Sequence, residues 1–175
     1  MKQQITVPVR LDKKTFKRFS RFDMFRLRKR WVRPVVFALL LIAFAAVALL
    51  TRKAQSGMIA AVLLAIGIGL PLVYFGSFFS QVNVKAAQLD LGKGRPVYTV
   101  QLDFDGIRVT NQMKKEPTVT VPWKDAPATF KAKGCVYLYV SPARAFLLPD
   151  SQADADDAAL WAYIEEHMGA KAKKI

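Results

Sequence analysis

Two long uncharged runs constrain this chain more than anything else in it. Residues Pro34 to Leu50 read PVVFALLLIAFAAVALL, and residues Met58 to Phe79 read MIAAVLLAIGIGLPLVYFGSFF. As helices they would be about 26 Å and about 33 Å long, against a bilayer hydrocarbon core of about 30 Å. The first holds 11 Leu, Ile, Val or Phe residues and the second 12, with no charged side chain to oppose insertion. At about −0.3 to −0.6 kcal/mol each near a helix centre, either run gains several kcal/mol on entering a membrane. The competing reading is a pair of buried helices in a soluble core. It needs enough other chain to cover both on every side, and a 175-residue protein has little to spare. The expectation is an α-helical membrane hairpin: transmembrane helix 1 over 34–50, a short external loop over 51–57 and transmembrane helix 2 over 58–79.

The charge map orients this hairpin. Residues 14–33 carry nine Lys/Arg, and residues 81–100 add Lys85, Lys93 and Arg95, whereas the connecting loop carries only Arg52 and Lys53. Because Lys and Arg are retained on the cytoplasmic side, both termini are expected in the cytoplasm. The first apolar run starts behind a long polar segment and therefore reads as an internal anchor, unlike a cleaved signal peptide. The single Cys135 then lies in a reducing compartment and behaves as a small apolar residue. One Cys and one His exclude a disulfide framework and a Cys- or His-rich metal centre, so no cofactor is expected.

Within the second run Gly57, Ala61, Ala65 and Gly69 recur every four residues, a stripe that lets another helix approach closely. It can pack on the first span or mediate association with a protein partner or as a homodimer. Pro71 should loosen the helix just beyond it. Neither run contains an ionisable residue, which argues against an ion or proton pathway.

The amino-terminal 33 residues hold 12 Lys/Arg and two acids, so +10 of the net +14 lies there. Ile5, Val7 and Val9 alternate with polar residues or Pro8 as in an edge strand, expected to join strands formed much later in the chain. Residues 12–30 then read as a helix with Phe16, Phe19, Phe22 and Phe25 along one side and Asp12 as its N-cap. Lys17, Arg18, Arg21 and Arg28 on this helix, with Lys93 and Arg95 after the second span, are candidate contacts for anionic lipid headgroups, each contributing about 1 kcal/mol near the surface. The alternative is that these charges only set topology while the aromatic stripe packs on the protein itself. No nucleic-acid module accompanies the basic arm, so no nucleic-acid partner is expected.

Residues 81–175 are nearly neutral, with 13 Lys/Arg and 11 Asp/Glu. Short alternating strands are expected over 96–104, 107–113, 118–123, 128–133, 135–140 and 145–148, with a further one over 82–91. Asp105-Gly106 forms a tight hairpin turn. After Pro149 the pattern becomes helical over 153–169, with Asp154, Asp156 and Asp157 at its start, Trp161, Ile164 and Met168 on one face, and Gly169 as its stop. The fold class is therefore a membrane α-helical hairpin plus an α+β or mainly-β cytoplasmic domain, a curled sheet capped by a C-terminal helix.

The catalytic inventory is thin. Asp103 and Asp105 could hold a divalent cation but sit in a turn, where solvated acids are common. His167 lies near the end of the last helix, with no nucleophile beside it in sequence. Gly92-Lys93-Gly94-Arg95 lacks the spacing of a phosphate-binding loop. No enzyme activity is expected.

The order of basic arm, tight two-span hairpin, strands and C-terminal helix resembles the YcxB-like family of bacterial membrane proteins. The local marks are Tyr98–Phe104 running into Asp105-Gly106-Ile107, then Val121-Pro122-Trp123-Lys124-Asp125, then Tyr137–Val140 followed by Ala145-Phe146-Leu147-Leu148-Pro149. The resemblance covers most of the chain and implies a cytoplasmic domain similar to a pleckstrin-homology (PH) fold. It supplies no reaction. Ala126 stands where an aliphatic residue is expected, and Asp150 where a basic one is, so no shared basic ligand contact is implied there. The function expected is a non-catalytic membrane protein that presents a PH-like domain to a protein or lipid headgroup. A small accessory or regulatory subunit of a membrane transport or envelope complex is the alternative.

Overall fold

The computed structural model describes residues 4–51, 53–89, 91, 96–111 and 117–175. The chain divides into two compact units, one made of residues 1–16 with 89–175 and the other of residues 17–88.

The first unit is β-rich. Strand β1 (Ile5–Val9) heads a four-stranded antiparallel sheet ordered β1-β2-β3-β4, with β2 at Tyr98–Leu102, β3 at Gly106–Asn111 and β4 at Val119–Pro122. The register pairs Ile5 with Leu102 and Val9 with Tyr98, so the first strand finds its partner late in the chain. Alternation dictates the buried face: Ile5, Val7, Val9, Val100, Leu102 and Ile107 are all at or below 1% exposure. β1 lies at the sheet edge, where Pro8 removes no ladder bond. Its outer side is closed by residues 152–154. Thr6 N–H donates to Asp154 Oδ1 and Asp154 N–H to Thr6 O, while Arg10 and Gln152 exchange a similar pair of bonds. An edge strand blocked in this way cannot recruit another chain.

The second sheet is ordered β7-β6-β5-β8, with β5 at Ala128–Ala132, β6 at Cys135–Tyr139, β7 at Ala145–Pro149 and β8 at Ala172–Lys174. The expected curled sheet is thus two four-stranded sheets. Every residue of β6 is buried, Cys135 included, as both faces of a central strand are covered. Tyr98 ties the sheets together: its hydroxyl donates to Leu147 O (3.0 Å) and accepts from Leu147 N–H (2.8 Å). Burial of this phenol raises its pKa, so it stays protonated and able to donate. Helix α4 (Asp157–Met168) buries Leu160, Trp161, Ile164 and Met168, and Thr129 Oγ1 on β5 donates to Met168 Sδ. Asp156 caps its start by accepting from Ala158 N–H, and Gly169, at φ 53°, ends it.

The second unit is helical. Helix α1 (Lys13–Phe22), which begins in the first unit, is capped by Asp12, which accepts from Thr15 N–H; hydrogen bonding from the Thr15 side chain, and then from backbone N–H groups, holds its carboxyl below the usual range. The expected single helix over 12–30 ends at Phe22 and passes into a π-helical turn, Asp23–Leu27. Helix α2 spans Val32–Leu50 and α3 spans Ser56–Gln88. Both are long and apolar enough to cross a membrane, with mean hydropathy of 2.5 and 2.4. α3 continues through Pro71 and well past Phe79, so the strand expected over 82–91 is helix as far as Gln88. Val82 and Ala86, one helical turn apart, are buried on this extension. The polar residues after Phe79 end the apolar run without ending the helix.

The two long helices pack through small residues. Ala38 and Ala45 of α2 and Ala60 and Gly67 of α3 are buried, seven residues apart on each helix. A Cβ added at Gly67 would lie 3.2 Å from Leu41 Cβ and 3.4 Å from the Ala38 carbonyl oxygen. This corrects one reading of the Gly57-Ala61-Ala65-Gly69 stripe. It is not the face that packs on the first span, because Gly57, Ala61 and Ala65 are exposed and a Cβ at Gly57 or Gly69 would meet nothing within 4 Å. A spacing of seven follows a shallow helix crossing, whereas a spacing of four drifts off it.

Candidate functional site

The candidate site is cationic and belongs to the helical unit. The segment from the π-helical turn to the first turn of α2 carries Arg26, Arg28, Lys29, Arg30 and Arg33 within eight residues. Arg28, Lys29, Arg30 and Arg33 line one open cleft of about 470 Å³ with Pro34 and Tyr74. The backbone is held in a specific bend there. Lys29 adopts φ 47°, a left-handed conformation uncommon for a residue with a side chain. Arg28 N–H donates to Asp23 O, Arg30 N–H to Met24 O and Val32 N–H to Lys29 O. Trp31 Nε1–H donates to Phe25 O at 3.0 Å, and the Phe25 ring stacks on Phe75 at 6.1 Å. The Arg28 Nε–H also meets Asp23 Oδ1 at 3.0 Å. Asp23 thereby offsets one cation, and Lys29, Arg30 and Arg33 form no ion pair among the described residues.

A second, much smaller recess of about 50 Å³ is lined by Lys17, Ser20 and Arg21 with Phe78, Phe79, Val82 and Asn83. Arg21 Cζ lies 5.9 Å from the Phe79 ring centroid, a cation–π arrangement that turns the guanidinium toward an aromatic residue at the end of the apolar run.

The predicted headgroup contacts therefore divide. Lys17 and Arg21 share the small recess, Arg28 lines the large cleft, and Arg18 is exposed on α1. Lys93 and Arg95, with the rest of the Gly92–Arg95 loop, lie outside the described residues, as does Arg52. Lys29, Arg30, Arg33 and Tyr74 were not among the predicted contacts. The dense run of cations abutting the first apolar segment is the available signal, and of it only Arg28 is named as a headgroup contact in the sequence reading.

In the β unit, the reactive residue types are structurally engaged. Asp103 Oδ1 accepts from the backbone N–H groups of Asp105 and Gly106, which closes the β2–β3 turn. A Cβ at Gly106 would lie 2.4 Å from the Val121 carbonyl oxygen, so this turn requires glycine. Among the described residues, no group of three His, Cys, Asp or Glu could hold a metal ion. His167 Nδ1 lies 2.8 Å from the Tyr163 carbonyl oxygen; that oxygen can only accept, so Nδ1 carries the proton. Its ring packs on Tyr163 and Trp123, at 4.3 and 5.0 Å. Trp123 is buried, and its Nε1–H donates to Asp103 O. The chain matches no family model, no curated protein and no solved structure.

Proposed function

We propose that this chain is a non-catalytic integral membrane protein of the bacterial inner membrane, in which a two-span hairpin carries a cytoplasmic PH-like domain of the YcxB-like type for interaction with proteins or lipid headgroups. The observation that carries the reading is the outer surface of α2 and α3. Leu39, Phe44, Leu50, Leu72 and Val73 are 60% exposed or more, and only 11% of each apolar helical window is buried. A contiguous apolar surface of this size is out of keeping with water and suits hydrocarbon. The pairing of β1 with β2 supports placing both termini on one side, because strands flanking the hairpin can join only within one aqueous compartment. The two four-stranded sheets, antiparallel except for the parallel β5–β8 pair, with a helix near the C-terminus, support the PH-like assignment.

Cysteine accessibility tests the arrangement. Gln55→Cys should react with an impermeant maleimide in intact cells, and Lys173→Cys only in inverted vesicles. Labelling of Lys173→Cys from outside, or release of the chain by alkaline carbonate, overturns the reading. One observation favours a second role as accessory subunit of a larger membrane complex: the Gly57-Ala61-Ala65-Gly69 stripe is unused within the hairpin. Crosslinking from Ala61→Cys to another chain supports that role, and its absence in native membranes removes it.

A further inference from the structure

The cleft at the start of α2 has the chemistry of a phosphate site at a defined depth. Resting on the membrane reading above, we propose that Arg30 and Arg33, with Lys29, bind the phosphodiester of an anionic phospholipid headgroup.

Three features carry this. Arg30 and Arg33 stand three residues apart around the first turn of α2, so both side chains serve one side of the helix entry and line the same cleft. Guanidinium forks match phosphate oxygens in pairs, and the positive end of the α2 dipole adds to the same field. Secondly, the bend is built at a cost. A left-handed lysine at φ 47° persists only where its surroundings over-determine it, and strain of this kind marks functional positions. Here the Arg28–Asp23 pair and the Trp31–Phe25 bond hold the bend, while the cations beyond it face no acid among the described residues. Thirdly, the depth is right. Pro34 and Val35 open the apolar run directly after Arg33, and Tyr74 lines the cleft as headgroup-level aromatic residues do. Charges that only set topology need neither converge on one cleft nor require a strained backbone.

The test uses the full chain, purified in mild detergent and exposed to equal amounts of phosphatidylglycerol and phosphatidylcholine, with retained lipid counted by native mass spectrometry. The wild type should retain phosphatidylglycerol preferentially. Removing two cations with Arg30→Gln/Arg33→Gln should lower its retention about thirtyfold. Lys13→Gln/Lys14→Gln, with the same change in net charge, should leave it unaltered. Arg30→Lys/Arg33→Lys, which keeps the charge and guards against misfolding, should give an intermediate loss because the fork is gone. The proposal is overturned by equal retention of both lipids in the wild type, by no loss in the glutamine pair, or by equal loss in the Lys13/Lys14 control. Displacement of the lipid by millimolar inorganic phosphate would also overturn it, in favour of a soluble phosphate ligand. A chain that needs no detergent to stay in solution refutes the membrane reading instead, which keeps the two failures distinct.

Discussion

The helix pair and the β unit solve opposite packing problems with one vocabulary of side chains. In the β unit large apolar residues point inward: Ile5, Leu102, Ile107, Leu138, Leu148 and Ile164 are almost wholly buried. In the helix pair the large residues point outward, and the buried positions of α2 and the apolar part of α3 are Ala38, Ala45, Ala60 and Gly67. Water drives the first arrangement by expelling hydrocarbon. On the membrane reading proposed above, lipid offers no such drive between helices, so close approach of backbones and dispersion contacts take over. Apolar residues thus mark the interior of one unit and the exterior of the other.

The sharpest way to break this contrast is to delete the same side chain in both settings. Leu138→Ala, in the middle of β6, should cost about 2–5 kcal/mol, read as a lowered midpoint by near-ultraviolet circular dichroism. Leu39→Ala, on the outer face of α2, should leave the detergent-solubilised protein nearly unchanged. Equal losses would mean α2 is covered by other protein. Next in size is Gly67→Ile, which places atoms where Leu41 and the Ala38 carbonyl already stand; it should weaken helix pairing by about 1–3 kcal/mol. Gly57→Ala, with open space at its Cβ, should have little effect. Disulfide trapping between α2 and α3 reports both. If Gly57→Ala were the more disruptive, the stripe would be the packing face after all.

Tyr98→Phe removes one hydroxyl and strands both the N–H and C=O of Leu147. The expected cost is about 1–2 kcal/mol, measurable by urea denaturation. The smallest effect is electrostatic. Burial, then repulsion from Asp157, raises the pKa of Asp150. A raised carboxyl contributes its stability below the unfolded pKa and loses it as pH rises through the folded value. Asp150→Asn should therefore raise the melting midpoint slightly at pH 7, with the advantage gone at pH 3.

Much of this was legible in the residues because local chemistry and tertiary packing agree. Alternation in Ile5–Val9 and Tyr98–Leu102 marked strands, Pro8 marked an edge, and Asp156 and Gly169 sit at the ends of a helix whose apolar face is visible. Where they diverge, reading failed. β8 is three residues with two lysines, held by parallel pairing to β5 that no local pattern announces. At the end of α3 the strand expected over 82–91 gives way to helix, because the polar pair Ser80-Gln81 ends the apolar run while the helix continues to Gln88. The four-residue stripe outshone the sparser Ala60–Gly67 spacing, although only the latter fits a shallow crossing. For the cleft, the cations were evident, but their convergence depends on the left-handed Lys29 and on Tyr74 from α3, which sequence order keeps apart.

The pairing of Ile5–Val9 with Tyr98–Leu102 has a consequence for biosynthesis. The ribosome makes the opening strand first and its mate about ninety residues later, a delay of roughly 5–18 s at ordinary elongation rates. During that interval the strand is an unsatisfied ribbon, and the two hydrophobic helices emerge in between. Completion of the sheet must therefore follow synthesis of both helices, making the folded β unit a late certificate that the chain between its strands has been made.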